Sequence, residues 1–139
     1  MMLSCLFVSC DDDGDDISFL EKHGDSLWKI SEGGGTVYAQ INNSVTNPLE
    51  LWASLFDACY IYESISGTGN VEVLENTENK VVIKVDEGGN DYALLSLTVT
   101  AKILTVTSEY YEDGSLDERE TIILMETSDD VNDLQLCEL

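Results

Sequence analysis

Four cysteines, one histidine and a large surplus of carboxylates are the residues of this 139-residue chain that could do chemistry. The cysteines are Cys5, Cys10, Cys59 and Cys137. A thiol can act as a nucleophile, an acyl acceptor, a metal ligand or half of a disulfide, and its surroundings decide which. Nucleophilic catalysis needs a base beside the nucleophile. The only histidine, His23, precedes the flexible Gly24 and reads as a plain surface residue, so neither a Ser-His-Asp nor a Cys-His site is expected. With no C-x-x-C and a single histidine, a zinc site is not expected either. Acid pairs such as Asp57/Glu63 and Glu109/Glu112 could perform acid–base work, but among 28 carboxylates such pairs arise by chance. The glycines of G-T-G-N (67–70) are followed by no lysine and lie among strand formers, which does not make a phosphate loop. No catalytic residue, metal or cofactor is assigned, and a non-enzyme is expected.

The charge balance narrows the partners. Asp and Glu number 28 against six Lys and Arg, for a formal net charge of −22. That field repels phosphate backbones, so nucleic acid is excluded as a partner, and most of the carboxylates belong on a solvated surface. No apolar run reaches the ~18 residues a transmembrane helix needs.

Cys10 has the most specific context. In L-F-V-S-C-D-D-D-G-D-D (6–16) an apolar run ends at the cysteine and five aspartates follow. Phe7, Val8, Ser9 and Cys10 resemble the four positions of a bacterial lipobox, with phenylalanine at the position usually held by leucine. The resemblance implies that Cys10 carries lipid at the mature N-terminus and that residues 1–9 are the remnant of a signal peptide. No positive residue precedes them, and the segment is shorter than the apolar stretch of a signal peptide. The expectation is therefore that Met1 is an internal methionine of a longer signal. Asp11, Asp12, Asp13, Asp15 and Asp16 resemble the acidic export signal of surface lipoproteins in Bacteroidetes-type bacteria. Residues 10–18 also suit a lipidated tether, because like charges extend the chain and Gly14 loosens it. A calcium loop fails on spacing: Ser9 and Leu20 stand where acids are required.

With Cys5 removed and Cys10 acylated, Cys59 and Cys137 remain. An exported chain with two leftover cysteines pairs them most simply. That bridge would close a loop of about eighty residues, worth roughly 4–5 kcal/mol in the chain-entropy model, and would pin the polar C-terminal segment.

The body of the chain must position whatever site exists. From residue 69 onward it reads as five strands in a meander: 69–75, 80–86, 91–99, 103–111 and a last one ending at 126. E-D-G-S (112–115) carries the Asp-Gly hairpin pattern, whereas Thr100-Ala101-Lys102 is a weak turn by composition. In the first half, 26–31, 36–42 and 58–65 read as strands. N-P-L-E-L-W-A-S-L-F (47–56) leans towards a short helical or irregular segment, since Asn47, Pro48 and Glu50 fit a capped start and Trp52, Leu55 and Phe56 share a helical face. The fold expected is all-β, an eight-stranded antiparallel up-and-down barrel, with a two-sheet β-sandwich as the alternative. Leu94 with Leu95 and Val81 with Val82 make both faces partly apolar, which calls for some cover outside the sheet.

Over residues 19–139 this pattern resembles the small lipocalin-like lipoproteins of Bacteroidetes-type bacteria. The resemblance implies an outer-membrane, cell-surface location through the lipid anchor and a central cavity for a small apolar ligand. It also implies an arginine packed across the first-strand tryptophan. Trp28 and Arg119, the only arginine, are the residues for that pair, although Gly24 precedes Trp28 by four positions where the family has two. Trp52, Tyr60, Tyr62 and Tyr92 are candidates to line a cavity, with core and rim positions the competing reading. The function expected is a non-catalytic, monomeric binding module for a small apolar ligand or a partner surface. The alternative is an accessory envelope protein with a filled interior. An empty apolar cavity of roughly 300 Å³ or more favours the first.

Overall fold

The structure is a computed structural model that describes residues 17–55 and 59–138. A short helix α1 (Phe19–His23) opens it, capped by the Ser18 hydroxyl, which accepts from the Glu21 amide. Nine strands follow: β1 (Ser26–Glu32), β2 (Gly35–Ile41), β3 (Leu49–Leu55), β4 (Tyr60–Ser64), β5 (Asn70–Asn76), β6 (Lys80–Gly88), β7 (Asp91–Thr100), β8 (Ile103–Glu112) and β9 (Ser115–Glu126). Two single-turn 3₁₀ segments, η1 (Ile65–Gly67) and η2 (Val131–Asp133), complete the order.

All nine strands form one antiparallel sheet in the order β4-β3-β2-β1-β9-β8-β7-β6-β5. Two meanders, β1 to β4 and β5 to β9, are joined where the first strand meets the last, at Met125↔Lys29 and Glu126↔Trp28. No ladder joins the outer strands β4 and β5 among the described residues, so the sheet is not closed by hydrogen bonds. Even so, both meanders feed a single core. Trp28, Ala39, Ile41 and Leu49 from one pack in the same cluster as Val81, Ile83, Val85, Leu97, Leu104 and Leu124 from the other. Ile65 of η1, between the two edge strands, is buried in that cluster, as are Phe19 and Leu20 of α1.

The ninth strand is β3, where the sequence leans towards a helical or irregular segment. The segment alternates with period two: Leu49 and Leu51 pack with the main core, while Trp52 turns to the other face. Pro48 sits just before the strand and its carbonyl accepts the Asn42 amide at 2.9 Å. Proline is tolerated there because no ladder donor is needed. The Asn-Pro start that imitates a helix cap is thus a turn into a strand.

The turns follow from local chemistry. Asp113 (φ 54°) and Gly114 (φ 80°) both take positive φ, the two-residue hairpin geometry that Asp-Gly favours. Between β7 and β8, Ala101 holds φ 56° at a position where glycine is the low-cost residue. Ala101→Gly is therefore expected to raise stability by about 0.5–1 kcal/mol, read as a higher urea midpoint at unchanged slope. A lower midpoint would mean that the left-handed turn is not what Ala101 adopts in solution.

Candidate functional site

Apolar space remains inside the core. A cavity of about 210 Å³ lies between the meanders. Val37, Ala39, Leu49 and Leu51 wall one side and Leu95, Val106, Ile122 and Leu124 the other, with Ile65 between. The only polar residues on its wall are Ser108 and Glu120, direct cross-strand partners on β8 and β9. The inward-facing residues of β9 pass from Leu124 and Ile122 to Glu120 and Glu118, and those of β8 from Leu104 and Val106 to Ser108 and Tyr110. The cavity therefore has an apolar floor and a polar mouth. Glu118, Glu120 and Tyr110 also border a second hollow that shares Ser108 and Glu120 with it.

The outward face of β1–β3 carries a second, smaller core of Leu27, Tyr38 and Trp52. The C-terminal segment covers it, with Val131 and Leu134 packed on those side chains together with Tyr60. The cover thus lies over β1–β3 and not over β6 and β7, the strands whose Val81-Val82 and Leu94-Leu95 pairs called for it. A disulfide, two main-chain hydrogen bonds and two side-chain bonds hold the segment as a strap. Cys59 and Cys137 form a disulfide, with Cα atoms 4.9 Å apart. Beside it the Tyr60 amide donates to the Gln135 carbonyl at 2.8 Å and the Cys137 amide to the Tyr60 carbonyl at 2.9 Å, which covers the start of edge strand β4. At the strap's other end Asp129 Oδ2 accepts from the Tyr38 hydroxyl at 2.7 Å and from Lys29 Nζ at 3.2 Å.

Those two donors hold the Asp129 carboxyl below the usual carboxylate range, the Tyr38 bond contributing most. The sign follows. Asp129 favours the folded strap above the unfolded carboxyl pKa, near 3.9, and that contribution is lost as pH falls through its lowered folded value. Acid titration of the Asp129→Asn variant is expected to show a shallower loss of stability below about pH 4 than the parent. Identical acid limbs would leave the Tyr38–Asp129 bond without a role in holding the strap.

The residues singled out in the sequence are dispersed. Trp28 is buried, and its Nε1 donates to Ser26 Oγ at 2.8 Å. Arg119 is not near it. Trp28 pairs with Glu126, seven residues further along β9 than Arg119, or about 20 Å of strand. Arg119 also lies on the outward face, where its Nε donates to Glu109 Oε2 at 2.8 Å. The Trp28–Arg119 pair is thus absent. Nor do Trp52, Tyr60, Tyr62 and Tyr92 line the interior cavity. Trp52 and Tyr62 meet in a tilted pair on the outward face with ring centroids 5.1 Å apart, and with Val131, Leu134 and Leu136 they border a groove of about 340 Å³. Tyr60 packs against Tyr38, at 5.8 Å. Tyr92 stacks on Tyr111 at 4.7 Å, with Lys84 above it at 4.8 Å. The cavity wall is aliphatic, and nothing in the sequence separates those side chains from ordinary core.

His23 is half-buried rather than exposed. Its ring lies 4.6 Å from that of Phe19, and burial lowers its pKa, helped by the neighbouring Lys22 charge. Glu109 is taken up by Arg119. In G-T-G-N the role of Gly69 is close packing, since a Cβ there would stand 2.5 Å from the Asp86 carbonyl oxygen. Among the described residues no group of three or more His, Cys, Asp or Glu is placed to hold a metal ion, and no helix is long and apolar enough to cross a membrane. Cys5, Cys10, the five aspartates after Cys10, Phe56 and Asp57 lie outside the described residues.

The fold and the cavity define the class: an all-β domain, one antiparallel up-and-down sheet of nine strands with an aliphatic cavity between its two meanders and a C-terminal strap held by a disulfide. No protein-family model matches the chain, nor does any curated protein or solved structure.

Proposed function

We propose that this chain is a non-catalytic binding module, a lipocalin-like barrel that takes a small apolar ligand into its interior. The carrying observation is the aliphatic cavity within the larger of the two core clusters among the described residues, walled from both meanders. An accessory protein has no need of it, because interiors otherwise pack to crystal-like density. A barrel, as opposed to a sandwich, is supported by the shared core, in which Ile65 of η1, the segment that joins β4 to β5, is buried. At about 210 Å³ the cavity falls short of the roughly 300 Å³ set above as favouring a ligand site, but it exceeds the ~150 Å³ that admits benzene. The ligand is then compact, with about eight to ten non-hydrogen atoms by that scale.

The location proposed is the outer leaflet of a bacterial outer membrane, with lipid on Cys10 and residues 11–16 as export signal and tether. The Cys59–Cys137 disulfide supports an oxidising compartment. A second reading, a surface for a protein partner, is favoured by Ile103, Ile123 and Met125. These are 38–54% exposed and adjacent on the outward faces of β8 and β9.

Native mass spectrometry of the protein taken from its own membrane tests the first reading. The expected spectrum shows, beside the bare chain, a species heavier by one small molecule. Ile122→Trp, which fills the cavity, should remove that species. A spectrum of bare chain alone, or an adduct that survives Ile122→Trp, contradicts it. In the same preparation, labelled palmitate should enter the parent chain and be lost in Cys10→Ser.

A further inference from the structure

The cavity's polar mouth carries its own chemical information. Its wall is aliphatic except at one rung of the sheet, Ser108 opposite Glu120, and the next rung outward is Tyr110 opposite Glu118. Glu118 and Glu120 therefore both sit on the inward-facing side of β9. That side carries Ile122 and Leu124 deeper in, while Arg119 between them turns outward to Glu109. Among the described residues neither carboxylate has an ion-pair partner. Both carboxylates are solvent-exposed at this end of β9, whose burial is confined to Ile122 and Leu124, so they add nothing to the packing of the strand. What the acids supply is a negative potential at the entrance, focused by low-dielectric walls and reinforced by a chain of net charge −22.

Resting on the reading of the cavity as a ligand site, we infer that its ligand is a compact apolar amine. The apolar body fills the aliphatic chamber, and the ammonium sits at the mouth between the Glu120 carboxylate and the Ser108 hydroxyl. An ammonium offers three donors and no acceptor, which suits a carboxylate and a hydroxyl oxygen. A carboxylate ligand of the same size would meet two like charges at the entrance, so short fatty acids and aryl acids are rejected. The mouth sets the sign of the head group, and the chamber volume sets the length of the body.

Isothermal calorimetry on the full chain, at low salt and near neutral pH, with three ligands of matched size, tests this. They are phenethylamine, propylbenzene and phenylacetate. The amine should bind at least three- to tenfold more tightly than propylbenzene, the range of a partly solvated ion pair, and phenylacetate should bind most weakly. Raising the salt should shrink the amine's advantage. Glu120→Gln should erase the amine's preference over propylbenzene. Glu21→Gln, which removes one charge from α1 at a distance from the mouth, should leave that preference intact. Equal binding of amine and hydrocarbon overturns the amine assignment while the cavity reading stands, as does a preference for phenylacetate. So does an amine preference that survives Glu120→Gln. If none of the three binds, the cavity reading itself fails. Circular dichroism of each variant separates a lost preference from a lost fold.

Discussion

Replacing Cys59 and Cys137 together by serine is expected to lower stability by about 4–5 kcal/mol, the chain-entropy value for a loop of this length. The two residues stand 78 positions apart, so the bridge removes a large closed-loop freedom from the unfolded chain. Its native role is more local. It fixes the strap whose Val131 and Leu134 cover Leu27, Tyr38 and Trp52. The serine variant should therefore show two signatures. The urea midpoint falls, and amides that hold the strap, those of Tyr60 and Cys137, lose hydrogen-exchange protection before the main sheet opens. A change under about 1 kcal/mol, with the strap still protected, would mean that Val131 and Leu134 hold the segment without the bridge.

The second large effect is expected at Trp28, where Ala should cost about 3–5 kcal/mol. Trp28 is fully buried and lies where the two meanders meet. The β1–β9 register is short, at Met125↔Lys29 and Glu126↔Trp28, so packing rather than the ladder carries much of that junction. Trp52→Ala is the informative comparison. Trp52 packs in the smaller outward cluster under the strap, where the C-terminal segment can settle into the vacated space. Its loss should cost clearly less. Urea unfolding followed by far-ultraviolet circular dichroism checks both variants. Equal costs would mean that the outward cluster is as central to the fold as the interior.

Much of this fold is legible in the sequence because local chemistry and tertiary packing agree. Val81, Ile83 and Val85 alternate and are buried together, and Asp113-Gly114 makes the turn that its residue types favour. The Cys59–Cys137 pairing, expected from the sequence on the reading that Cys10 carries lipid, is present in the structure. Strand β3 is misleading because Asn47-Pro48 before an apolar run imitates a helix cap, while the alternation that decides the matter spans only Leu49–Leu55. The Trp28–Arg119 pair is not legible because the face of a strand residue depends on register. β9 has an irregularity between Leu116 and Glu118, and beyond it Arg119 pairs with Glu109 on the outward side. The cavity is the least legible feature. The aromatic residues that look like a ligand wall pack outside, on the strap or on one another, because the outward face of β1–β3 is itself a core. The true wall is Val, Leu and Ile, the same residues that fill any interior.

The interior cavity is tested most directly by methyl nuclear magnetic resonance during titration with propylbenzene. If the chamber takes a compact apolar ligand, methyl signals of Leu51, Ile65, Leu95, Val106, Ile122 and Leu124 shift together and saturate at one ligand per chain. Interior methyls that do not move, or saturating shifts confined to Val131, Leu134 and Leu136 in the outward groove, would contradict it.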